Sequence, residues 1–240
     1  MKRLAFLSIA ILLTLSSCLI DGWNQGISGN GKVVKETRDL SGFTGVHISS
    51  GIDVWLSEGN SFEVTVEADE NLLEVILTEM NGKFLVVKTD HVNIRSAKSK
   101  KVHVTIPKLS ELKISSAGDC VGQTTFGCDD LSISISSAGD LSLEVEASKI
   151  DMDISSSGDA RISGSADILN VSLSSAGDLH AFDLIAGKVD VVVSSAGDAR
   201  VHATEEISMN ASSAGNIYYR GDAKVVHSRS SSAGDIIRKD

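Results

Sequence analysis

The sequence predicts an all-β protein folded as a single-stranded β-helix, or β-solenoid, with coils of about 19–20 residues. Three observations support this fold class. A five-residue motif recurs seven times, the segments between its copies alternate apolar and polar residues, and equivalent positions of successive copies carry similar side chains. Each repeat is too short to bury an apolar face alone, so successive repeats are expected to stack around one continuous core.

The recurring motif is Ser-Ser-Ala-Gly-Asp, with one variant each in its third and fifth residues. Its glycines lie 18–21 residues apart, at Gly118, Gly139, Gly158, Gly177, Gly197, Gly215 and Gly234. The glycine is the third residue of the turn, as in residues 137–140, and a type II turn requires a positive φ there. The motif therefore predicts one type II turn in every coil.

Alternation of apolar and polar residues predicts two short strands per coil, one entering the turn and one leaving it. The residue after the motif is small or apolar in every copy: Cys120, Leu141, Ala160, Leu179, Ala199, Ile217 and Ile236. A second, mostly small column is predicted at Cys128, Ala147, Ala166, Ala186, Thr204 and Ala223. Stacked coils would place the members of each column about 4.8 Å apart.

The composition suits a narrow aliphatic interior. Of the 240 residues, 42% are hydrophobic but only 4% are aromatic, which fits a core of Leu, Ile, Val and Ala. The formal net charge is -10, and the sequence has no basic stripe of the kind that binds nucleic acid. We therefore expect no nucleic-acid partner.

The first segment, residues 1–17, is interpreted as a signal peptide, because two basic residues precede a short apolar stretch. The stretch is too short to be a transmembrane helix, and it ends in Leu-Ser-Ser followed by Cys18, which resembles a bacterial lipobox. That resemblance implies lipidation of Cys18, so the membrane is a partner through the lipid. Leu19 favours the outer membrane, and residues 18–32 are expected to form a flexible tether.

Residues 33–240 are predicted to form the solenoid, with irregular coils in residues 33–108 and the motif-bearing coils in residues 109–240. The irregular part is expected to cap one end of the stack, because exposed strand edges promote aggregation. Residues 49–53 look like a degenerate copy of the later turns. Residues 69–77 are predicted to form a short helix with Asp69 as its N-cap.

The irregular part carries three patterns of one known family. They are Phe43-x-x-Val46 with Ser50-Gly51-x-Asp53-Val54, then Val64-x-Val66-x-Ala68-Asp69-Glu70-x-Leu72, then Gly82-x-x-Leu85-x-Val87. Together with the repeats they resemble the head GIN domain of autotransporter adhesins, whose members are common in Bacteroidetes and are often lipoproteins. The resemblance covers residues 33–236. It implies a right-handed β-helix-like fold and supplies no catalytic residues to carry over.

The aspartates of the motif are the sharpest candidates for a site, because stacking would align them as a ladder. They are Asp119, Asp140, Asp159, Asp178, Asp198 and Asp235, with Asn216 in line. Each Asp is expected to cap its turn by accepting backbone N–H bonds. The alternative is that the ladder binds calcium, which prefers oxygen ligands. The repeat lacks the nonapeptide length of calcium-binding β-rolls, so no metal or cofactor is assigned.

Other candidate features are fewer. Cys120 and Cys128 are expected either to form a disulfide in an oxidising envelope or to pack as buried free thiols. The basic run at residues 95–101 is predicted to be a solvated loop, with a docking patch for anionic sugars as the alternative. The aromatic residues, among them Trp55 and Tyr218, are not expected to share a column.

The sequence therefore predicts a non-enzymatic lipoprotein of the cell envelope, since no HExxH, GxSxG or CxxC motif is present. The leading hypothesis is an adhesin-like solenoid whose repeat faces bind a glycan or a protein. The alternative is a scaffold lipoprotein that faces the periplasm and has no role in adhesion. An outer-membrane lipoprotein, on the cell surface or the periplasmic face, is expected, and the oligomeric state is left open.

Overall fold

The computed structural model describes residues 26–240 and confirms a β-solenoid of about 7 turns, with coils of roughly 19 residues. The strands are β1 Ile27–Ser28, β2 Val33–Arg38, β3 Gly45–Ile48, β4 Asp53–Glu58, β5 Glu63–Asp69, β6 Ile76–Asn81, β7 Phe84–Thr89, β8 Ile94–Ser96, β9 Lys100–Ile106, β10 Glu111–Ile114, β11 Asp119–Ile135, β12 Asp140–Ile154, β13 Asp159–Leu173, β14 Asp178–Ser194, β15 Asp198–Ser212, β16 Asn216–Arg220, β17 Lys224–Ser231 and β18 Asp235–Arg238. In this part of the chain, no helix is long and apolar enough to cross a membrane. The predicted signal peptide and the predicted lipidation site, Cys18, lie outside the described residues.

The long strands β11 to β15 each run most of the way round one coil and pair in parallel with the strand of the next coil. The pairing confirms the first predicted column, from Cys120 against Leu141 through to Ile217 against Ile236. The second column is confirmed up to Ala186, but its next member is Ala203 and not Thr204. Strand β14 bulges after Ala181, and this bulge shifts the pairing with β15.

The core consists of the inward-facing residues of all coils and is almost entirely aliphatic. In β12, for example, Leu141, Leu143 and Val145 are buried while the residues between them are exposed. The alternation breaks after Ala147, where two residues rather than one precede the next buried side chain, Ile150. This break recurs in the neighbouring coils and lets the strand bend round the core. Burial of these side chains stabilises the fold by roughly 25 cal/mol per Å² of apolar surface.

The turns differ from the type II prediction. The positive φ belongs to the second serine of the motif, for example 66° at Ser137 and 65° at Ser156, and not to the glycine. The glycine is required for another reason. A Cβ atom on Gly139 would lie 2.5 Å from Cγ2 of Ile114 in the preceding coil, and one on Gly158 would lie 2.5 Å from Cγ2 of Ile135. Close stacking of the coils therefore selects glycine at this place.

Backbone hydrogen bonds continue through the turns. Ser155 N donates to Ile135 O at 2.9 Å, and Ser157 N donates to Ser137 O at 2.9 Å. Asp159 N donates to Gly139 O at 3.2 Å. The turns thus continue the backbone hydrogen bonding of the strands, and few of their polar backbone groups are left unpaired.

The N-terminal end of the stack is capped by irregular strands, as the sequence predicts, and several of them run antiparallel to their neighbours. Strand β2 pairs with β5, β5 with β9, and β6 with β7. The degenerate turn is also confirmed, because Ser50 has a φ of 61° and Ser115 N donates to Ile48 O at 2.8 Å.

The predicted helix at residues 69–77 is wrong. Only a single 3₁₀ turn forms, at Glu70–Leu72, and strand β6 begins at Ile76. Leu72 and Ile76 are buried in the core of the cap, and the hydrogen bonds of β6 with β7 outweigh the helical preference of the segment. Asp69 makes no cap bond to this turn.

Asp69 instead holds three backbone segments together from a fully buried position. Its carboxylate accepts hydrogen bonds from Lys98 N at 2.7 Å, Ser99 N at 3.2 Å and Gly31 N at 2.5 Å. Burial raises the pKa of Asp69, but these backbone donors outweigh burial and the net pKa is lowered. Part of the predicted tether, from strand β1 to Lys32, is therefore held against the cap.

We predict that Gly139→Ala lowers the free energy of unfolding by roughly 2 kcal/mol, because the new methyl group overlaps Ile114 of the preceding coil. Urea unfolding followed by circular dichroism measures the change. Gly127→Ala is the matched control, since its Cβ would meet nothing closer than Glu58 Oε1 at 3.8 Å. Equal effects of the two substitutions would contradict the proposed role of the motif glycine.

We predict that Asp69→Asn lowers Tm at pH 7 by roughly 5 °C. The folded-state pKa of Asp69 is lowered, so its stabilisation is present above the unfolded pKa of about 3.9 and is lost as the pH falls through the folded pKa. The difference between wild type and variant should therefore shrink in acid. Thermal scans between pH 2 and pH 7 test this, with the exposed Asp39→Asn as control. A difference that stays constant with pH would refute it.

Candidate functional site

Strand pairing brings the motif aspartates into one column, which we call the Asp ladder: Asp119, Asp140, Asp159, Asp178, Asp198 and Asp235, with Asn216 between the last two. Asp53 extends the column towards the N-terminal cap, because the next residue, Val54, pairs with Cys120. The degenerate turn at residues 49–53 is the sequence signal that could have identified Asp53.

The Asp ladder divides into two chemically different halves. In the C-terminal half, Asp178 Oδ1 accepts Asp198 N at 2.8 Å, while Asp198 accepts Asn216 Nδ2 at 2.9 Å and Arg200 Nη2 at 3.0 Å. In the other half, the exposed Asp119, Asp140 and Asp159 carboxylates accept no hydrogen bond from residues 26–240. Backbone capping by the carboxylate, expected at every turn, is thus seen at Asp178.

The electrostatics of the N-terminal half follow from this arrangement. Partial burial raises the pKa of Asp119, and the carboxylates of Asp53 and Asp140 raise it further. No group of three or more His, Cys, Asp or Glu residues in the described chain is placed to hold a metal ion. Calcium binding by the ladder stays a prediction.

A shallow cleft of about 240 Å³ runs beside the unengaged carboxylates. Its polar lining consists of Asp119, Asp140, Asp159, Ser142, Arg161 and His180. Each of these side chains lies just after a turn. Together they come from the four successive strands β11 to β14, so the cleft crosses four coils. It offers acceptors on one side and donors on the other, which suits a ligand rich in hydroxyl or ionised groups.

A second outward column lies beside the Asp ladder, two residues further along each strand. Its members are Trp55, Val121, Ser142, Arg161, His180, Arg200 and Tyr218. Trp55 and Tyr218 therefore do share a column, contrary to the expectation from sequence. The repeated triplet Asp-Ala-Arg, at residues 159–161 and 198–200, is the signal that could have revealed it.

A cationic side chain lies over the ring of each of the two aromatic residues in this column. Lys101 Nζ lies 4.4 Å from the ring centroid of Trp55, and the guanidinium of Arg200 lies 5.2 Å from that of Tyr218. Both contacts are within the range of cation–π attraction. The rings therefore hold cations in place, and they are not bare platforms for stacking a sugar.

The basic run at residues 95–101 is not a solvated loop. It forms the end of β8 and the start of β9, and its Lys98 and Ser99 N–H groups bind Asp69. Lys100 donates to Gly51 O beside the degenerate turn. These contacts assign the run a structural role in the cap.

Both cysteines of β11 are free, buried thiols. Burial, followed by the charge of Asp119, raises the pKa of Cys120 to about 12. Burial, followed by the charge of Glu58, raises the pKa of Cys128 to about 11. Neither thiol is ionised at neutral pH, so neither is an activated nucleophile.

Comparison with known proteins agrees with this geometry. A family model described as "Putative auto-transporter adhesin, head GIN domain" matches residues 42–223. The chain belongs to this family. The resemblance found in the sequence is thereby confirmed, and no curated protein matches the chain significantly.

Solved structures share the head GIN fold. A putative adhesin from Bacteroides fragilis has a TM-score of 0.80 at 20% identity and covers 89% of this chain and 100% of its own. A putative adhesin from Parabacteroides distasonis scores 0.73 at 23% identity, with 90% and 100% coverage. A structure from the same species, titled a putative lipid binding protein, scores 0.72 at 21% identity, also with 90% and 100% coverage. At these identities the likeness shows the fold alone.

We predict opposite effects of two substitutions in the Asp ladder. Asp119→Asn should stabilise the fold by roughly 0.5 kcal/mol, because it removes repulsion that solvent partly screens. Since the folded pKa of Asp119 is raised, the gain should appear as the pH rises through that pKa and should fade in high salt. Asp178→Ala should destabilise by about 1 kcal/mol, because Asp198 N loses its acceptor.

Thermal unfolding in 20 mM and 500 mM NaCl tests both expectations. Calcium at 2 mM is included as a third condition. A Tm that rises with calcium and falls with chelator, and does neither in Asp119→Asn, would replace the repulsion account with a bound ion.

Proposed function

We propose that this protein is a lipid-anchored, adhesin-like protein of the cell envelope that binds an extended glycan or protein without catalysis. The observation that carries the proposal is the outward face formed by the Asp ladder and its neighbouring column. In the Asp ladder an aspartate, or Asn216, recurs at each coil along this face, from Asp53 to Asp235. Seven coil steps of about 4.8 Å give it a length of roughly 30 Å.

Such a face suits an extended ligand better than a compact one. A repeating polymer can meet a side-chain acceptor of the Asp ladder at each coil, so that weak contacts add up over its length. The cleft beside Asp119, Asp140 and Asp159 is shallow and open along the stack. Membership of an adhesin family supports the same conclusion.

The proposed anchor fits the polarity of the stack. Eight residues separate Cys18 from the start of β1, which pairs with β8 beside the N-terminal cap. Lipidation at Cys18 would hold the capped end towards the membrane. The motif-bearing coils would then extend away from it, with their binding face open to a partner.

We predict that Cys18→Ser moves the protein from the membrane fraction to the soluble fraction, because the lipid is its only proposed anchor. Immunoblots of fractionated cells measure the distribution, with wild type and the surface variant Asp39→Asn as controls. Retention of Cys18→Ser in the membrane would contradict lipid anchoring at this residue.

The proposed adhesive role is tested by protease treatment of intact and lysed cells that express the protein. Loss of the protein from intact cells is the expected result, followed by binding on arrays of glycans and matrix proteins. Protection of the protein from protease until the cells are lysed would contradict the adhesive role and favour the periplasmic scaffold. Release of reducing ends from a bound glycan is measured in parallel, because paired carboxylates of unequal pKa also serve glycoside hydrolysis.

A further inference from the structure

The C-terminal coils concentrate arginines from three separate strands in an otherwise acidic protein. We call Arg161, Arg200 and Arg220 the arginine patch. Arg161 pairs with His180 of the next coil, and His180 pairs with Arg200 of the coil after that. Arg220 lies on β16, the strand of the next coil, where it pairs with His202 of β15. The net charge of the whole chain is -10, so this grouping of cations is local.

Aromatic rings fix two of the three guanidinium groups. Arg220 lies 4.2 Å from the ring centroid of Phe182, and Arg200 lies 5.2 Å from that of Tyr218. Phe182 belongs to the bulge that shifts the pairing of β14 with β15. A ring positions a guanidinium without neutralising its charge, whereas a carboxylate partner would do both.

The charges of the patch are only partly balanced. Arg200 pairs with Asp198 through Nη2 at 3.0 Å, but its Nη1 has no acceptor. Arg220 Nε likewise has no acceptor, and neither Arg220 nor the exposed Arg161 has an ion pair in residues 26–240. The nearby Asp178 accepts the N–H of Asp198. Asp159 and Asp235 are the ladder carboxylates next to the patch that accept no hydrogen bond within residues 26–240.

We infer that the arginine patch binds the acidic groups of a polysaccharide that lies along the solenoid. This inference rests on the proposed adhesive function and names its ligand class. Guanidinium groups form paired hydrogen bonds with carboxylate and sulfate oxygens, and those of Arg200 and Arg220 are already oriented by aromatic rings. A polymer that repeats its charge can contact two or three of these arginines at once, which a single anion cannot.

The Asp ladder limits where such a ligand can lie. Asp119 and Asp140 accept no hydrogen bond and form no ion pair within residues 26–240, so they repel an acidic chain at the N-terminal half of the face. The polysaccharide is therefore directed to the coils from Arg161 to Arg220. The carboxylates of Asp159 and Asp178 can accept its neutral hydroxyl groups.

The test measures binding by biolayer interferometry to immobilised heparin, polygalacturonate and dextran, which are sulfated, carboxylated and neutral polysaccharides. Arg161→Gln, Arg200→Gln and Arg220→Gln are combined in one variant. The matched control combines Lys149→Gln, Lys188→Gln and Lys224→Gln, which removes the same charge from the strands that enter the turns. Circular dichroism checks the fold of both.

We expect binding to one or both acidic polymers, weakened at least about tenfold by the arginine variant and less than about twofold by the lysine variant. Which acidic polymer binds tells carboxylate from sulfate recognition. Arg161→Gln alone should weaken binding measurably, and it keeps the inference testable if the triple variant misfolds, because Arg161 makes no hydrogen bond, ion pair or ring contact within residues 26–240. Equal losses in both triple variants would overturn the inference.

Two further outcomes separate this inference from the proposed function. Binding to dextran or to a matrix protein, with none to the acidic polymers, would overturn the acidic ligand and leave the adhesive role standing. Equal binding to single-stranded DNA would show general attraction of polyanions and overturn the assignment to a sugar. No binding to any glycan or matrix protein would overturn both.

Discussion

The spacing of one strand between successive coils, about 4.8 Å, is the constraint on which the rest of this structure depends. The turns must stack as closely as the strands, because their backbone groups continue the same hydrogen-bond ladder. Nothing larger than glycine fits against the isoleucine of the coil below, as at Gly139 and Ile114. The second serine takes the positive φ that closes the turn. The primary role of the repeated motif is therefore to let successive coils stack closely.

The same spacing determines the chemistry of the surface. A motif repeated once per coil places like side chains over like, so an aspartate after each turn becomes a ladder of carboxylates. Repulsion between neighbours must then be offset. At Asp178 and Asp198 it is offset by a backbone N–H, by Asn216 and by Arg200. At Asp119 no such partner is present within residues 26–240, and burial, followed by the charges of Asp53 and Asp140, raises its pKa.

Much of the fold could be predicted because period and alternation are local properties of the sequence. The coils, the first inward column and the capping role of residues 33–108 follow from them. The position of the positive φ could not be predicted, since glycine suits both a positive φ and a close contact. The failed helix at residues 69–77 reflects strand pairing with β7, which local propensity does not contain. The arginine patch depends on register across four strands and on the bulge that carries Phe182.

In an acidic protein with a local basic patch, the distance of an anion from the patch decides whether attraction or repulsion dominates. At physiological salt, charges act over about 8 Å, so a ligand lying on the patch interacts with Arg161, Arg200 and Arg220 and with the ladder carboxylates beside them. A long polyanion that extends beyond the patch also meets the carboxylates of Asp119 and Asp140 and is repelled. A polysaccharide with acidic and neutral sugars in alternation can match both regions. Under the binding that we infer, the regular spacing that builds the core also favours, on the outside, ligands with a repeating pattern of charge.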